Sequence, residues 1–200
     1  MYAAVWIAAA YLCGSLPTGV WVGHLAGIDV RRVGSGNIGA TNVARTAGAR
    51  AAIVTLLGDV AKGFLPALLA RSLVASPWLM AAVAMAAVCG HVCSIFLRFS
   101  GGKGVATAFG AFLALTPFAV AVSAAIFVLT AITTRYASVA SIVAAASLPV
   151  IVASTDSARP LVVAAVVVAV TIVARHAANI GRLRRGLEPK FRIGKLQRPG

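Results

Sequence analysis

Charge is missing from this chain over lengths that a water-soluble domain of 200 residues does not sustain. Residues 105–132 carry none, and residues 77–97 carry only the imidazole of His91. Apolar stretches recur at roughly 3–25, 51–71, 77–97, 105–132, 138–154 and 160–180. About 20 apolar residues in a helix cross a hydrocarbon core of about 30 Å, so each is expected to be membrane helix. With 60% hydrophobic and 11% charged residues, residues 1–200 read as a single all-α polytopic membrane domain with a basic tail from about 181. The chain starts Met1-Tyr2-Ala3 with no basic region, and Leu12 before Cys13 is not the small residue that precedes a lipidated cysteine. The first stretch is therefore expected to stay as a helix, without a cleaved signal or lipid anchor.

The net charge of +14 does not indicate nucleic acid, because the basic residues are dispersed through short loops and one tail without interleaved aromatics. Cys13, Cys89 and Cys93 all fall in apolar stretches, and an odd count there argues for small buried hydrophobes rather than disulfides. Cys89-x-His91-x-Cys93 has the look of a metal motif, yet on a helix His91 points away from the face the two cysteines share. No metal and no cofactor are expected.

Basic residues decide the number of crossings. As one helix, residues 105–132 would run about 42 Å at ~1.5 Å per residue, and Leu115-Thr116-Pro117 offers a break. Splitting there gives seven transmembrane helices with the N-terminus outside and the C-terminus cytoplasmic. That layout puts 15 basic residues inside against Arg71 and Arg159 outside, whereas six crossings put 7 inside and 10 outside. The positive-inside tendency selects seven. It also makes the fourth helix, 105–115, short at about 17 Å, so that helix is expected to start in a recess. Loops 26–50, 98–104 and 133–138 and the tail then share the cytoplasmic side.

Two of those loops have the chemistry of anion sites. Gly101-Gly102-Lys103-Gly104 strips side chains from the backbone so that successive N–H groups can converge on an oxyanion, with Lys103 supplying charge and the start of the short helix its positive dipole end. In the loop from Ser35 to Arg45, glycines 34, 36 and 39 stand among Ser, Asn and Thr. There the Arg45 guanidinium can grip phosphate in two-pronged fashion while Ser35 and Thr41 donate hydroxyls. Asp59 and Lys62, three apart on one helix face, either brace the site or form a buried pair only. His176 and Asn179 share a face one turn apart, with Arg182 beyond. His176 is a general base, a phosphate ligand or an interfacial residue. Glu188, the sole glutamate, sits among Arg184, Arg185 and Lys190 and either locks the tail to basic loops or moderates their repulsion. His24 and Asp29 have the His-x-x-x-x-Asp spacing of acyl-thioester-dependent glycerolipid acyltransferases, read here as coincidence because no extramembrane segment is large enough to hold that site.

Gly-Ser-Gly-Asn-Ile-Gly-Ala-Thr-Asn at 34–42 with Arg45, Gly58-Asp59 with Lys62-Gly63, Gly90-His91 with Gly101-Gly102-Lys103-Gly104-Val105-Ala106-Thr107, Arg135-Tyr136-Ala137-Ser138, and His176-x-x-Asn179-Ile180-x-Arg182-Leu183 with Gly186 and Glu188 occur in that order. Nearly end to end, this resembles the bacterial acyl-phosphate:glycerol-3-phosphate acyltransferases, save that His24 stands where many relatives have lysine. The resemblance implies a seven-helix enzyme of the bacterial cytoplasmic (inner) membrane, its active site facing the cytoplasm. Such an enzyme moves a fatty acyl group from acyl phosphate to the 1-hydroxyl of glycerol 3-phosphate, giving lysophosphatidate and phosphate in phospholipid biosynthesis. Its partners would be the two substrates, the bilayer and the enzyme that supplies acyl phosphate. By the same resemblance Ser35, Arg45, Lys103, His176 and Asn179 are catalytic. Gly36, Asn37, Thr41, Asn42, Gly101, Gly102 and Gly104 bind substrate, and Asp59, Lys62 and Glu188 are structural near the site. The rival from another class is a membrane anion or organophosphate transporter, since an intramembrane Lys facing a half-length helix also describes transport sites. No second copy of the Gly-Gly-Lys-Gly segment supports it.

Overall fold

The computed structural model describes residues 2–155 and 158–190, and among these the secondary structure is entirely helical. Arg192, Lys195 and Arg198, part of the basic tail, lie outside the described residues. In chain order the helices are α1 (Tyr2–Ser15), α2 (Thr18–Leu25), α3 (Ala40–Thr46), α4 (Gly48–Leu73), α5 (Pro77–Val92), α6 (Val105–Leu115), α7 (Pro117–Thr134), α8 (Ala137–Ala153), α9 (Arg159–Arg175) and α10 (Ala177–Arg184). Four segments are long and apolar enough to cross a membrane: Tyr2–Leu25, Gly48–Leu73, Pro77–Leu97 and Pro117–Thr134. A fifth is counted if α9 and α10 form one broken span, while α6 and α8 are apolar but shorter.

The outer surface fits a lipid solvent. Val128, Leu129 and Ile132 of α7 and Val150 of α8 are exposed, while a core of Phe112, Val88, Val152, Val168 and Ile172 is buried between α5, α6, α8 and α9. Apolar tails solvate such faces as well as protein does, so association rests on close backbone approach. Gly14 and Gly90 let α1 and α5 touch main chain to main chain, and Gly63 and Gly110 do the same for α4 and α6; a Cβ at any of the four would collide with a backbone carbonyl.

Several boundaries differ from the sequence expectation, and α5 ends at Val92 where the third stretch was expected to reach 97. The first stretch breaks between α1 and α2 at Leu16-Pro17, because Pro17 has no N–H to continue the ladder. The polar loop closes into the short helix α3 over its second half. The last stretch, expected to run to 180, stops at Arg175 and turns by 52° into α10, with His176 at the corner. The break after Leu115 falls where Pro117 opens α7.

The short α6 is accommodated at both ends. Its contact with α4 joins Gly63, the sixteenth residue of α4, to Thr107, the third of α6, so α6 begins level with the middle of α4. At the far end the Arg71 guanidinium, from the last turn of α4, donates to the Ala114 carbonyl at 2.6 Å. That bond serves one of the orphan carbonyls of a helix that stops early.

Candidate functional site

The backbone of residues 28–46 is organised by one amide. Asn42 in α3 is buried; its Oδ1 accepts the Ser35 N–H at 2.8 Å, and its Nδ2 donates to the Val30 and Val33 carbonyls at 2.9 and 3.2 Å. Gly34 lies against that amide at a φ of 62°, a left-handed conformation that side chains disfavour. Asn37 Oδ1 accepts from the Gly39 N–H at 2.9 Å, closing a local turn. The substrate-binding expectation for Asn42 and Asn37 therefore meets side chains already engaged in shaping the loop. Ser35, Gly36, Thr41 and Arg45 stand exposed around it. Val30, Ile38 and Val43 pack with Val20, Ala52 and Leu97, which joins the loop to α2, α4 and the turn after α5.

Residues 101–104 fold differently from the expected open cradle. The Gly101 and Gly102 N–H groups donate to the Val92 and His91 carbonyls at 3.0 Å each, so the end of α5 consumes the amides that were to face an anion. The reason is steric: without side chains these residues lie flat on the His91 ring and the helix end. The opening N–H groups of α6 at Val105 and Ala106 are left over, because the Gly101 and Gly102 carbonyls one turn earlier are taken by Arg175. Gly104 makes the turn into α6 at a φ of 85°.

Lys103 Nζ donates to Asn179 Oδ1 at 2.5 Å, Asn179 Nδ2 donates to Glu188 Oε1 at 2.6 Å, and the same oxygen accepts from Ser138 Oγ at 2.8 Å. Glu188 Oε2 takes the Arg182 Nε–H at 2.7 Å. This relay brings the segment before α6, the start of α8, α10 and the chain beyond it to one point. Burial pushes the Lys103 ammonium down to about 8; Glu188 pulls it back up, and the charges of Arg182, Arg45 and Arg175 press it down further. Burial raises the Glu188 carboxyl, but hydrogen bonds from Asn179, Ser138 and Arg182 outweigh it and leave it below the ordinary range. One carboxylate among Arg45, Lys103, Arg175 and Arg182 leaves the region strongly cationic.

His176 is buried with Nδ1 2.8 Å from the Ile172 carbonyl. A carbonyl can only accept, so Nδ1 carries the proton and Nε2 holds the lone pair. Asp59 and Lys62 are buried in α4: Lys62 Nζ bonds Asp59 Oδ1 and the Leu16 carbonyl, each at 2.8 Å, and Thr18 Oγ1 donates to Asp59 Oδ1 at 2.5 Å. Their mutual needs are met by the break between α1 and α2, by α2 and by α4, with His91 Nδ1 3.6 Å from the same carboxylate oxygen. Asp29 is engaged elsewhere. Arg31 binds it through Nε and Nη2 at 2.9 and 3.0 Å and holds its carboxyl down to about 2, while His24 is exposed on α2.

Sequence reasoning treated Arg175 as a topogenic charge. In the fold its Nε and Nη2 donate to the Gly102 and Gly101 carbonyls at 3.2 and 3.0 Å. Ser138 and His91 were also missed, though each stands inside a motif that was noticed, Ser138 ending Arg135-Tyr136-Ala137-Ser138 and His91 following Gly90.

The chain matches the glycerol-3-phosphate acyltransferase family model over residues 4–186. The glycerol-3-phosphate acyltransferase of Trichlorobacter lovleyi is 52% identical over 187 residues, covering 94% of this chain and 96% of the relative. That of Geobacter sulfurreducens is 51% identical over 187 residues, covering 92% and 95%. Among solved structures, PlsY (YgiH), described as an integral membrane glycerol 3-phosphate acyltransferase, is similar in its glycerol 3-phosphate form with a TM-score of 0.92 at 37% identity, covering 96% of each chain. Its lysophosphatidic acid form gives 0.90 at 36% over the same shares. With identity of about half along nearly the whole length and the same helical fold, this chain belongs to the glycerol-3-phosphate acyltransferase family.

Proposed function

We propose that this protein transfers a fatty acyl group from acyl phosphate to the 1-hydroxyl of sn-glycerol 3-phosphate, releasing lysophosphatidate and inorganic phosphate for phospholipid biosynthesis. The observation that carries this reading is the relay from Lys103 through Asn179 to Glu188 and Arg182, which sets a part-buried ammonium beside the start of α6 in an otherwise apolar bundle. Two phosphorylated reactants, one with an acyl tail, need that combination of cationic mouth and lipid-facing wall. In this reading the segments Tyr2–Leu25, α4, α5, α6, α7, α8 and α9 make seven crossings, the N-terminus is outside, and the site and C-terminus face the cytoplasm. The distribution of basic residues supports the orientation.

Acyl phosphate is a mixed anhydride with a good leaving group, so the protein needs no acyl intermediate of its own. Ser35 and Arg45 hold the donor phosphate, while Lys103 and the opening turn of α6 hold that of glycerol 3-phosphate. Two of the three Lys103 protons remain for phosphate once Asn179 takes one. Held in this way, the glycerol hydroxyl attacks the acyl carbonyl carbon, the carbon–oxygen bond to phosphate breaks, and the cationic groups stabilise charge on the departing phosphate. The hydroxyl proton passes to a phosphate oxygen or to Nε2 of His176, whose Nδ1–H is tied to Ile172.

Purified protein given palmitoyl phosphate and glycerol 3-phosphate is expected to form lysophosphatidate with stoichiometric phosphate, and to be inert with palmitoyl thioesters. Turnover with thioesters and none with acyl phosphate would sink the donor assignment. His176→Gln separates the proton routes: a kcat drop of about 10²- to 10³-fold marks His176 as the acceptor, and near-normal turnover leaves the substrate phosphate in that role.

A further inference from the structure

Lys103 sits on a segment of three glycines, a backbone with little stiffness of its own, yet its ammonium must reach Asn179 on α10 and a substrate phosphate at once. The segment is gripped on two sides. On one, the Gly101 and Gly102 N–H groups bond the Val92 and His91 carbonyls at 3.0 Å, and the Gly102 α-carbon lies directly on the His91 imidazole, so that a Cβ there would overlap Nε2. On the other, Arg175 bridges the Gly101 and Gly102 carbonyls at 3.0 and 3.2 Å.

The His91 side chain is otherwise hard to account for. It is 4% exposed, its Nδ1 has no hydrogen-bond partner, and the nearest carboxylate oxygen of Asp59, at 3.6 Å, is already served by Lys62 and Thr18. A buried ring nitrogen without a partner is unfavourable. What the ring does accomplish is to fill the space between Asp59 and Gly102. Arg175 is similarly unusual: no acidic side chain pairs with it among the described residues, and its donors go to main-chain oxygens of the glycine segment.

We propose that Arg175 and His91 are positioning residues that clamp Gly101-Gly102 between α9 and α5, and so set where Lys103 meets the phosphate of the acceptor. The inference rests on the acyl-transfer reading for its kinetic arm only. Arg175→Gln is expected to raise KM for glycerol 3-phosphate about tenfold, the order of one or two lost hydrogen bonds. It should also speed hydrogen–deuterium exchange in residues 99–106. Arg175→Lys keeps the charge but reaches one carbonyl, and falls between.

The decisive comparison is made in a Lys103→Met background. There Arg175→Gln adds less than about twofold, because the residue it positions is gone. Loss of the full factor again would show that Arg175 binds substrate itself and overturn the clamp, as would wild-type exchange and KM in Arg175→Gln. A size swap tests the other jaw: Gly102→Ala should raise KM, and adding His91→Ala should recover most of the loss. No recovery in a monodisperse double variant removes His91 from the clamp. Wild-type protein inactive with acyl phosphate, but with loop exchange responding as stated, would overturn the functional reading and leave the clamp standing.

Discussion

Lys103→Met lowers kcat/KM for glycerol 3-phosphate by about 10³-fold, the largest single loss expected in this protein. A buried cation that meets phosphate in both ground and transition states contributes to each, and removal of one such donor from a preorganised site costs about 10²- to 10³-fold in rate alone. The loss is specific in its pH signature. In the free protein the ammonium titrates near 8, driven down first by burial and then by Arg182, Arg45 and Arg175. Only the charged form attracts phosphate, so wild-type KM rises as pH climbs through about 8, up to tenfold per unit beyond it, while kcat at saturating acceptor changes little because bound phosphate restores the proton. Lys103→Met abolishes that alkaline limb along with most of the activity. Steady-state kinetics between pH 6.5 and 9.5 check both; a wild-type KM that stays flat across that window would contradict the assignment of Lys103 as the phosphate cation.

Glu188→Ala is expected to remove both activity and about 2–4 kcal/mol of stability, for a reason that distinguishes it from Lys103→Met. The carboxylate accepts from Asn179, Ser138 and Arg182, and removing it strands two buried donors and an arginine. Asn179 then loses the bond that orients its Oδ1 toward Lys103, so catalysis fails through a geometric fault two bonds away. Glu188→Gln keeps the volume and an acceptor oxygen and should retain part of both quantities. The folded-state pKa of Glu188 lies below its ordinary value, so its contribution is complete above about 4.3, the unfolded-state value, and is lost as pH falls through the folded-state value. Thermal unfolding in detergent should show the wild type losing stability below about pH 4 by a margin that both variants lack. Unfolding midpoints of Glu188→Ala equal to wild type at neutral pH would end the view of Glu188 as the hub of the four segments.

Much of the architecture was legible in the residues because membrane insertion is a local, additive property. Apolar length marks each stretch, and Pro117 cuts 105–132 where its missing N–H requires it, whereas the break at Pro17 inside the first stretch was not read. The polar clusters were likewise visible, since Ser, Asn, Arg and Gly in an apolar chain mark places where chemistry outweighs the drive to insert. The corner at His176 was not legible. No proline or glycine marks it, and it forms because Nδ1 bonds Ile172 while Asn179 and Arg182 are drawn toward Glu188.

The sequence by itself determined that the chain is a helical membrane protein of this family, and where its polar side chains cluster, because hydrophobic length and residue type are properties of short segments. Tertiary structure alone decided which groups are free to act. Two glycine N–H groups that read as an anion cradle are bonded to the end of α5, Asn42 is absorbed in shaping its loop, and Arg175 turns inward to the glycine carbonyls. Every backbone donor or acceptor withdrawn from water must find a partner, and whether that partner is a substrate or another part of the fold depends on which distant segments arrive beside it.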